Sequence, residues 1–331
     1  MTGALTRRPA WLVAALVCGG GVLALAGLGV GSTGLQAVWT LWDDPIAAQI
    51  VWDIRAPRTA AAFCAGALLG LAGAVAQGLF RNPLADPFLL GSASGASLAV
   101  ALAMAGWGAS TLSNLWLLRL GLTGAAFVGA VLAVLLTLAL ARGVQHTLRL
   151  LLAGVVVGVV LCALTSLVTL TAPETLAAMQ AFMLGTTALV GWPGNALMGG
   201  IGLMCLALAW GLSRALDGLA LGEATALSLG LPLAPLRAAL LAVLALATGT
   251  AVAHTGLIAF VGLAAPHLVR SVVQTTHAWL LLLASLMGGV LLMLADTLAR
   301  GLLAPQELPV GVLTAVLGGG YLLWLMHRRA G

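Results

Sequence analysis

The sequence predicts an all-α polytopic membrane protein with about ten transmembrane helices. Of its 331 residues, 62% are hydrophobic and only 7% are charged, whereas an average soluble domain is about 25% charged. Apolar runs of about 20 residues, the length that crosses a bilayer core, recur along the chain. These runs are continuously apolar, unlike the short alternating segments of a transmembrane barrel. We therefore expect residues 1–331 to form a single transmembrane domain.

Polar or Pro/Gly-rich breaks divide the apolar sequence into ten spans. The first run is too long for the apolar region of a typical signal peptide, so we interpret it as a transmembrane helix. The eighth is short, which predicts either a half-helix or a helix that continues through the following PHLVR. The spans are about 11–31, 57–79, 92–107, 116–140, 149–169, 194–212, 236–253, 257–266, 278–296 and 307–326.

The distribution of arginines predicts the orientation in the membrane. All 14 basic residues are arginines, and they occur singly or in two adjacent pairs rather than as the basic stripe of a nucleic-acid-binding surface. With ten spans and both termini inside, the inner loops carry most of them, and only Arg55, Arg58, Arg119 and Arg300 fall outside. Positive residues favour the cytoplasmic side. The pattern therefore predicts that both termini are cytoplasmic.

Glycines spaced as GxxxG indicate close helix contacts. Such spacing lets helix backbones approach one another in lipid, either within one subunit or at a seam between two subunits. The pairs are Gly27/Gly31, Gly66/Gly70 and Gly154/Gly158.

A faint internal repeat relates the two halves of the chain, about 11–170 and 194–326. The segment beginning PRTAAAFCAG resembles the segment beginning PLRAALLAVL, which places Arg58 opposite Arg237 and Pro87 opposite Pro266. Each half holds five spans, an odd number, so the halves must cross the membrane in opposite directions. Inverted repeats of this kind are common in transporters.

Residues with recognisable catalytic chemistry are sparse. The sequence has no HExxH, P-loop, CxxC or paired-carboxylate motif, which predicts no catalytic residues, no metal site and no nucleotide site. The run GSASGAS (91–97) superficially resembles a serine nucleophile loop with His254 as partner, but serines also cap and pack helices. Asp296 and His254 lie near helix ends and are functional candidates as ionisable groups in a membrane.

Two predicted inner segments interrupt the apolar pattern. In RNPLADPFLLG (81–91), Pro83 and Pro87 lack backbone donors and bias the residues before them away from helix, which predicts a rigid turn. In LALGEATALSLGL (219–231), a short helix-like stretch lies between glycines. A short inner helix suits docking to a partner, and a plain connecting loop is the alternative.

The chain resembles the permease subunits of ATP-binding-cassette importers for ferric siderophores, haem and cobalamin, the FecCD-like type II importers. The similar pieces run in the family's order from about residue 50 to the C-terminus. They are IRAPRTAAAFCAGALLGLAGAVAQGLFRNPLADPFLLGSASGA, RLLLAG, LALGEATALSLGL, GLIAFVGLAAPHLVR, LADTLAR and ELPVGVLTAVLGGGYLLWLM. The resemblance implies a homodimeric permease in the bacterial inner membrane, two ATPase subunits that bind ATP and magnesium, and a periplasmic binding protein.

The resemblance also implies roles for individual residues. Asn82 and Leu84 after the second span, with Thr147 and Leu148 before RLLLAG, would form a cytoplasmic gate. Residues 213–232 would couple the permease to the ATPase, through Leu221, Gly222, Glu223, Ala224, Ala226, Leu229 and Gly230.

The outer arginines would dock the binding protein. By the resemblance, Arg55, Arg58 and Arg300 pair with its glutamates, and guanidinium groups suit bidentate pairing with carboxylates. Snorkelling of these side chains to the membrane interface is the alternative.

The expected cargo is a bulky iron complex, with haem first, ferric siderophore second and cobalamin as the alternative. No aromatic or metal-ligating residue along the expected path identifies it. A secondary transporter working alone is the alternative class, although the span centres hold almost no charged residues for an ion relay.

Overall fold

The structure, a computed structural model, describes residues 9–31, 34–35, 45–107, 115–141 and 147–330. In these ranges the chain is almost entirely α-helical. The helices are α1 (Pro9–Gly29), α2 (Pro45–Ile50), α3 (Ala56–Phe80), α4 (Ser92–Trp107), α5 (Leu115–Leu140), α6 (Thr147–Thr171), α7 (Leu176–Leu184), α8 (Trp192–Gly211), α9 (Ser213–Ala220), α10 (Glu223–Ser228), α11 (Leu233–Thr255), α12 (Val261–Val272), α13 (His277–Gly301) and α14 (Val310–Ala330). Val30–Gly31 pairs antiparallel with Gly34–Leu35.

Ten of these helices fall on the ten predicted spans. Seven helical stretches in the described ranges are long and apolar enough to cross a membrane, and Ser92–Gly106 and Val310–Trp324 are shorter apolar helices. The remaining helix of the ten is α12, which falls on the short eighth span. Because α12 extends to Val272, it confirms that this span continues through PHLVR. Its predicted start at residue 257 is wrong, because Gly256 and Phe260 both have positive φ angles and keep the chain out of the helix until Val261.

The second span extends further towards the N-terminus than its sequence predicts. Pro57 occupies an N-terminal position of α3 that suits proline, and it therefore looks like a helix start. In the structure, however, α2 and a π-helical turn over Val51–Arg55 lead directly into α3. This extension brings Arg55 to the end of the molecule where Arg58 lies.

The core is built around α3 and α11, the two helices that the internal repeat pairs. On α3, Leu68, Leu69 and Leu71 are almost fully buried, and on α11 Leu240 and Leu244 are fully buried. Helix α3 packs against α13, α11 and α12. By contrast α1, α6 and α8 expose most of their apolar side chains in the single chain, and these surfaces are available to lipid or to a second subunit.

The GxxxG glycines serve contacts within the subunit. A Cβ at Gly66 or Gly70 of α3 would overlap the backbone of Gly288 or Ala284 of α13. Glycine therefore permits the closest helix crossing in the core. Atoms of the same chain also lie near the other two pairs, Gly27/Gly31 and Gly154/Gly158.

Candidate functional site

A buried charge cluster lies at the end of the molecule that the arginine pattern predicts to be outside; we call this the outer end and the opposite one the inner end. Its centre is Asp296, near the C-terminal end of α13, with 0% of its surface exposed. Asp296 Oδ1 accepts hydrogen bonds from Thr187 Oγ1 at 2.6 Å and Arg58 Nε at 3.3 Å. Asp296 Oδ2 accepts from Arg300 Nη2 at 2.7 Å. Two guanidinium groups thus compensate one buried carboxylate.

A second carboxylate completes the cluster. Arg58 Nη1 donates to Glu307 Oε2 at 2.7 Å, and the Glu307 side chain, in the α13–α14 connection, is about one-third exposed. Arg300 also donates to the carbonyl oxygen of Gly27 at 2.9 Å and to Thr59 Oγ1 at 3.2 Å. The cluster therefore ties α1, α3 and α13 to the loop that follows α13.

Arg55 lies at the same end of the molecule as the cluster. Its Nη1 donates to the carbonyl oxygens of Leu28 at 3.1 Å and Gly29 at 3.5 Å. The structure thus brings the three predicted docking arginines to one end. All three are largely buried in the single chain, because Arg55, Arg58 and Arg300 are only 7%, 8% and 2% exposed. Their donors are used inside the chain, since a charge removed from water needs a partner.

At the inner end, the turn after α3 has the rigid form expected of its prolines. Asn82 Oδ1 accepts from the Leu84 amide at 3.0 Å, and Asp86 Oδ1 accepts from the Phe88 amide at 2.8 Å. Burial raises the pKa of the Asp86 carboxyl, and the hydrogen bond from Phe88 partly opposes that shift. These side-chain acceptors hold the backbone where proline removes donors.

Of the four predicted gate residues, Asn82 and Leu84 lie in this turn, and Thr147 and Leu148 are the first two residues of α6. Leu84 is 44% exposed and Leu148 is 70% exposed in the single chain, and Asn82 is also exposed. Thr147 begins α6, but its side chain lies outside the described part of the structure. The turn and α6 meet where Gly154 lies against the carbonyl oxygen of Leu89. The end of the turn segment therefore packs against α6 within one subunit.

The segment 213–232 forms two short helices, α9 and α10, rather than a plain loop. Gly222, with φ of 110°, joins them, and Gly230, with φ of 77°, ends the segment before Pro232. Both angles favour glycine. Ala226 of α10 is fully buried, whereas Leu221, Leu227 and Leu229 are 59–67% exposed. The segment presents an apolar surface at the inner end.

One ion pair and one histidine–carboxylate contact fasten these short helices to the transmembrane helices. The Arg237 guanidinium on α11 pairs with Glu223, the first residue of α10. The Asp217 carboxylate on α9 pairs with His277 at the start of α13. Glu223, predicted as a coupling residue, is thus held by an internal partner. The sequence reasoning missed Asp217, for which the only signal was a second acid beside Glu223 in the same inner segment.

The serine-protease alternative is not supported by the contacts of its residues. His254 Nδ1 lies 3.0 Å from the carbonyl oxygen of Thr250, one turn earlier in the same helix. Ser97 Oγ donates to the carbonyl oxygen of Ala93, and Ser94 Oγ lies 3.3 Å from Cys162 Sγ. Among the described residues no group of three or more His, Cys, Asp or Glu side chains is arranged to hold a metal ion.

Comparisons with known proteins place these features in context. The model of the FecCD transport family matches residues 12–328. The vitamin B12 import system permease protein BtuC of Pectobacterium atrosepticum is 39% identical, over 89% of this chain and 88% of that protein. The hemin transport system permease protein HmuU of Yersinia pestis is 37% identical, over 93% and 92%. A solved inward-facing metal-chelate type ABC transporter superposes with a TM-score of 0.86 at 29% identity, covering 97% of this chain and all of that one.

Proposed function

The chain belongs to the FecCD transport family, and on that premise we propose that it is the permease subunit of an ATP-binding-cassette importer. The observation that carries the proposal is the match of the family model to residues 12–328, nearly the whole chain. The multi-pass helical fold and the inner pair of short helices support it. The importer moves a bulky metal complex across the bacterial inner membrane into the cytoplasm, and both termini of this chain are cytoplasmic.

Two copies of the chain form the translocation path between them. The support is the wide apolar surface of α6, which exposes Val155, Val159 and Leu167 among others, together with exposed Leu84 and Leu148 at its inner end. Contact across a two-fold axis buries the same patch on both subunits. In this arrangement Asn82, Leu84, Thr147 and Leu148 of both copies narrow the inner end of the path.

The segment 213–232 binds an ATPase subunit. Its exposed leucines suit the apolar centre of an interface, and burial of Ala226 fixes the backbone that presents them. Two such segments, one from each permease copy, receive two ATPase subunits. ATP and magnesium are bound by these partners, which supply the energy for transport. The residues assigned to this contact are Leu221, Gly222, Glu223, Ala224, Ala226, Leu229 and Gly230.

A periplasmic binding protein docks at the outer end. The positive groups there are Arg55 and Arg58, and a partner carboxylate must compete with Glu307 for Arg58. Arg300, the third residue predicted to dock the binding protein, is the most deeply buried of the three, at 2% exposed. Its guanidinium is bonded to Asp296, Thr59 and Gly27, so we assign it to holding the cluster in place beneath the docking surface.

The cargo is a metal complex of tetrapyrrole size. The relatives named for vitamin B12 and hemin match this chain at 39% and 37% identity over similar lengths. Both cargos are metal-bearing macrocycles, and these identities do not separate them. We keep haem as the first choice, and the relatives named for vitamin B12 lead us to place cobalamin ahead of ferric siderophore, which the sequence analysis ranked second.

The test is purification of the affinity-tagged chain from its own host, followed by ATPase measurement in nanodiscs. We expect an ATP-binding-cassette subunit to co-purify and to hydrolyse ATP. Substitution of exposed Leu227 with arginine should remove that subunit, whereas Glu174→Gln at the other end should retain it. A chain that purifies without an ATPase and accumulates cargo on a proton gradient would be a secondary transporter instead.

A further inference from the structure

The N-terminus of α13 is capped by a side chain from another helix. The first amide groups of a helix lack intrahelical acceptors, and the preceding residue, Thr276, makes no side-chain cap. Asp217 of α9 takes this place, because its Oδ1 accepts from the His277 backbone amide at 3.0 Å. The same oxygen lies 2.7 Å from His277 Nδ1. An acidic group at this position also favours the helix dipole.

The helix that supplies this cap, α9, belongs to the segment 213–232, which we propose binds the ATPase. Leu216 and Leu219 of α9 are fully buried, and α9 packs against α13 and α3. Helix α10 packs on α9 and is tied to α11 by the pair of Glu223 with Arg237. The α9–α10 pair is therefore connected to α11 through Glu223 and to the first residue of α13 through Asp217.

The other end of α13 enters the outer charge cluster. Asp296 and Arg300 lie on its last turns, and they bind Arg58 and Thr59 of α3. Its 25 residues span roughly 37 Å at 1.5 Å per residue. Helix α13 is thus a single element with polar attachments at both ends of the molecule.

We propose that Asp217 is a positioning residue that transmits displacement of the α9–α10 pair to α13, and through α13 to the outer end. The proposal rests on the proposed function, since the displacement comes from an ATPase seated on α10. Asp217 touches neither ATP nor cargo. It acts by keeping the first turn of α13 bonded to α9.

Three substitutions separate this role from a general loss of stability. Asp217→Ala removes both bonds to α13. His277→Ala removes the bond of the ring but keeps the backbone amide that Asp217 caps. Asp217→Asn keeps an acceptor oxygen of similar size and removes the charge. We expect the loss of transmission to be largest in Asp217→Ala, smaller in His277→Ala and smallest in Asp217→Asn.

The experiment measures movement at the outer end of α13 in the complete complex. A spin label is placed at Leu302, which follows α13 and is 56% exposed, in a background in which the four native cysteines are replaced by alanine. The distance between the labels on the two permease copies is measured by pulsed electron paramagnetic resonance. It is compared between the nucleotide-free complex and the complex with ATP plus vanadate. The control variant is Glu174→Ala, an exposed acid in the α6–α7 connection.

The expected result is a nucleotide-dependent distance shift in wild type and Glu174→Ala that falls to less than half in Asp217→Ala, with the ATPase still bound. An undiminished shift in Asp217→Ala would overturn the transmission role. If the Asp217→Ala complex does not assemble, the His277→Ala complex is measured instead. A distance shift as large as that of wild type in His277→Ala would also overturn the transmission role. Failure of the proposed function gives a different result, since no ATPase then co-purifies with wild type.

Discussion

Removal of the charge of Asp296 should destabilise the protein strongly. Asp296→Asn changes the volume little, but it leaves Arg58 and Arg300 buried around a neutral amide. Loss of one partner from a buried ion pair costs about 3–5 kcal/mol. We expect the lower end of that range, because Arg58 keeps Glu307 at 2.7 Å and Arg300 keeps the Gly27 carbonyl at 2.9 Å.

A loss of about 3 kcal/mol corresponds to a fall in Tm of about 6 °C, at about 2 °C per kcal/mol for a chain of this size. The assay is thermal unfolding in detergent, followed by fluorescence-detected size exclusion at one fixed heating rate, because membrane proteins rarely unfold reversibly. Glu174→Gln, which removes an exposed acid, is the matched control. It should leave the Tm unchanged.

The double variant Asp296→Asn with Arg300→Gln sharpens this test. If the two residues form one network, the second change removes a charge that the first left unpaired. The combined loss should then be smaller than the sum of the single losses. An Asp296→Asn protein that melts with wild type, or strictly additive losses, would refute the buried-network reasoning.

Three further predictions concern the ATPase contact, the docking surface and the packing of the helix core. Ala226→Arg places a long charged side chain where no surface is exposed, so co-purification of the ATPase should be lost while the permease still elutes as a monodisperse species. Arg58→Glu should weaken binding-protein affinity in nanodiscs by about 2–5 kcal/mol, Arg58→Lys should weaken it less, and equal wild-type affinities at low salt would exclude docking at Arg58. Gly73→Ala inserts a Cβ into the carbonyl group of Gly262 and should cost about 1–3 kcal/mol of stability, visible as a lower Tm than that of Gly106→Ala, where a Cβ meets open space.

The spans were predictable because lipid imposes a strong constraint on sequence. A helix that crosses the bilayer must be apolar over about 20 residues, and polar breaks mark its ends. Predicted and observed bounds therefore agree closely for α4 and α5. The helix α7 was not predicted, because the nine residues between Thr175 and Gly185, apolar except for Gln180, carry no clear span or amphipathic signal.

The site was less predictable because its contacts join distant parts of the chain. Arg58 pairs with residues 238 and 249 positions away, and Asp217 pairs with a residue 60 positions away. Composition and resemblance identified Arg58 and Arg300 as outer residues, but only the packing of α13 against α3 shows that they are buried. No local pattern marks Glu307 as the partner of Arg58.

The central claim, that partner ATPases drive transport through this permease, is tested most directly by reconstitution. Proteoliposomes containing the permease and its co-purified ATPase are loaded with ATP, and the cognate binding protein is added outside with haemin or cyanocobalamin. We expect one of these complexes to accumulate inside the vesicles with ATP, and neither to accumulate with a non-hydrolysable ATP analogue. Accumulation that persists without ATP hydrolysis and collapses with a proton gradient would contradict it.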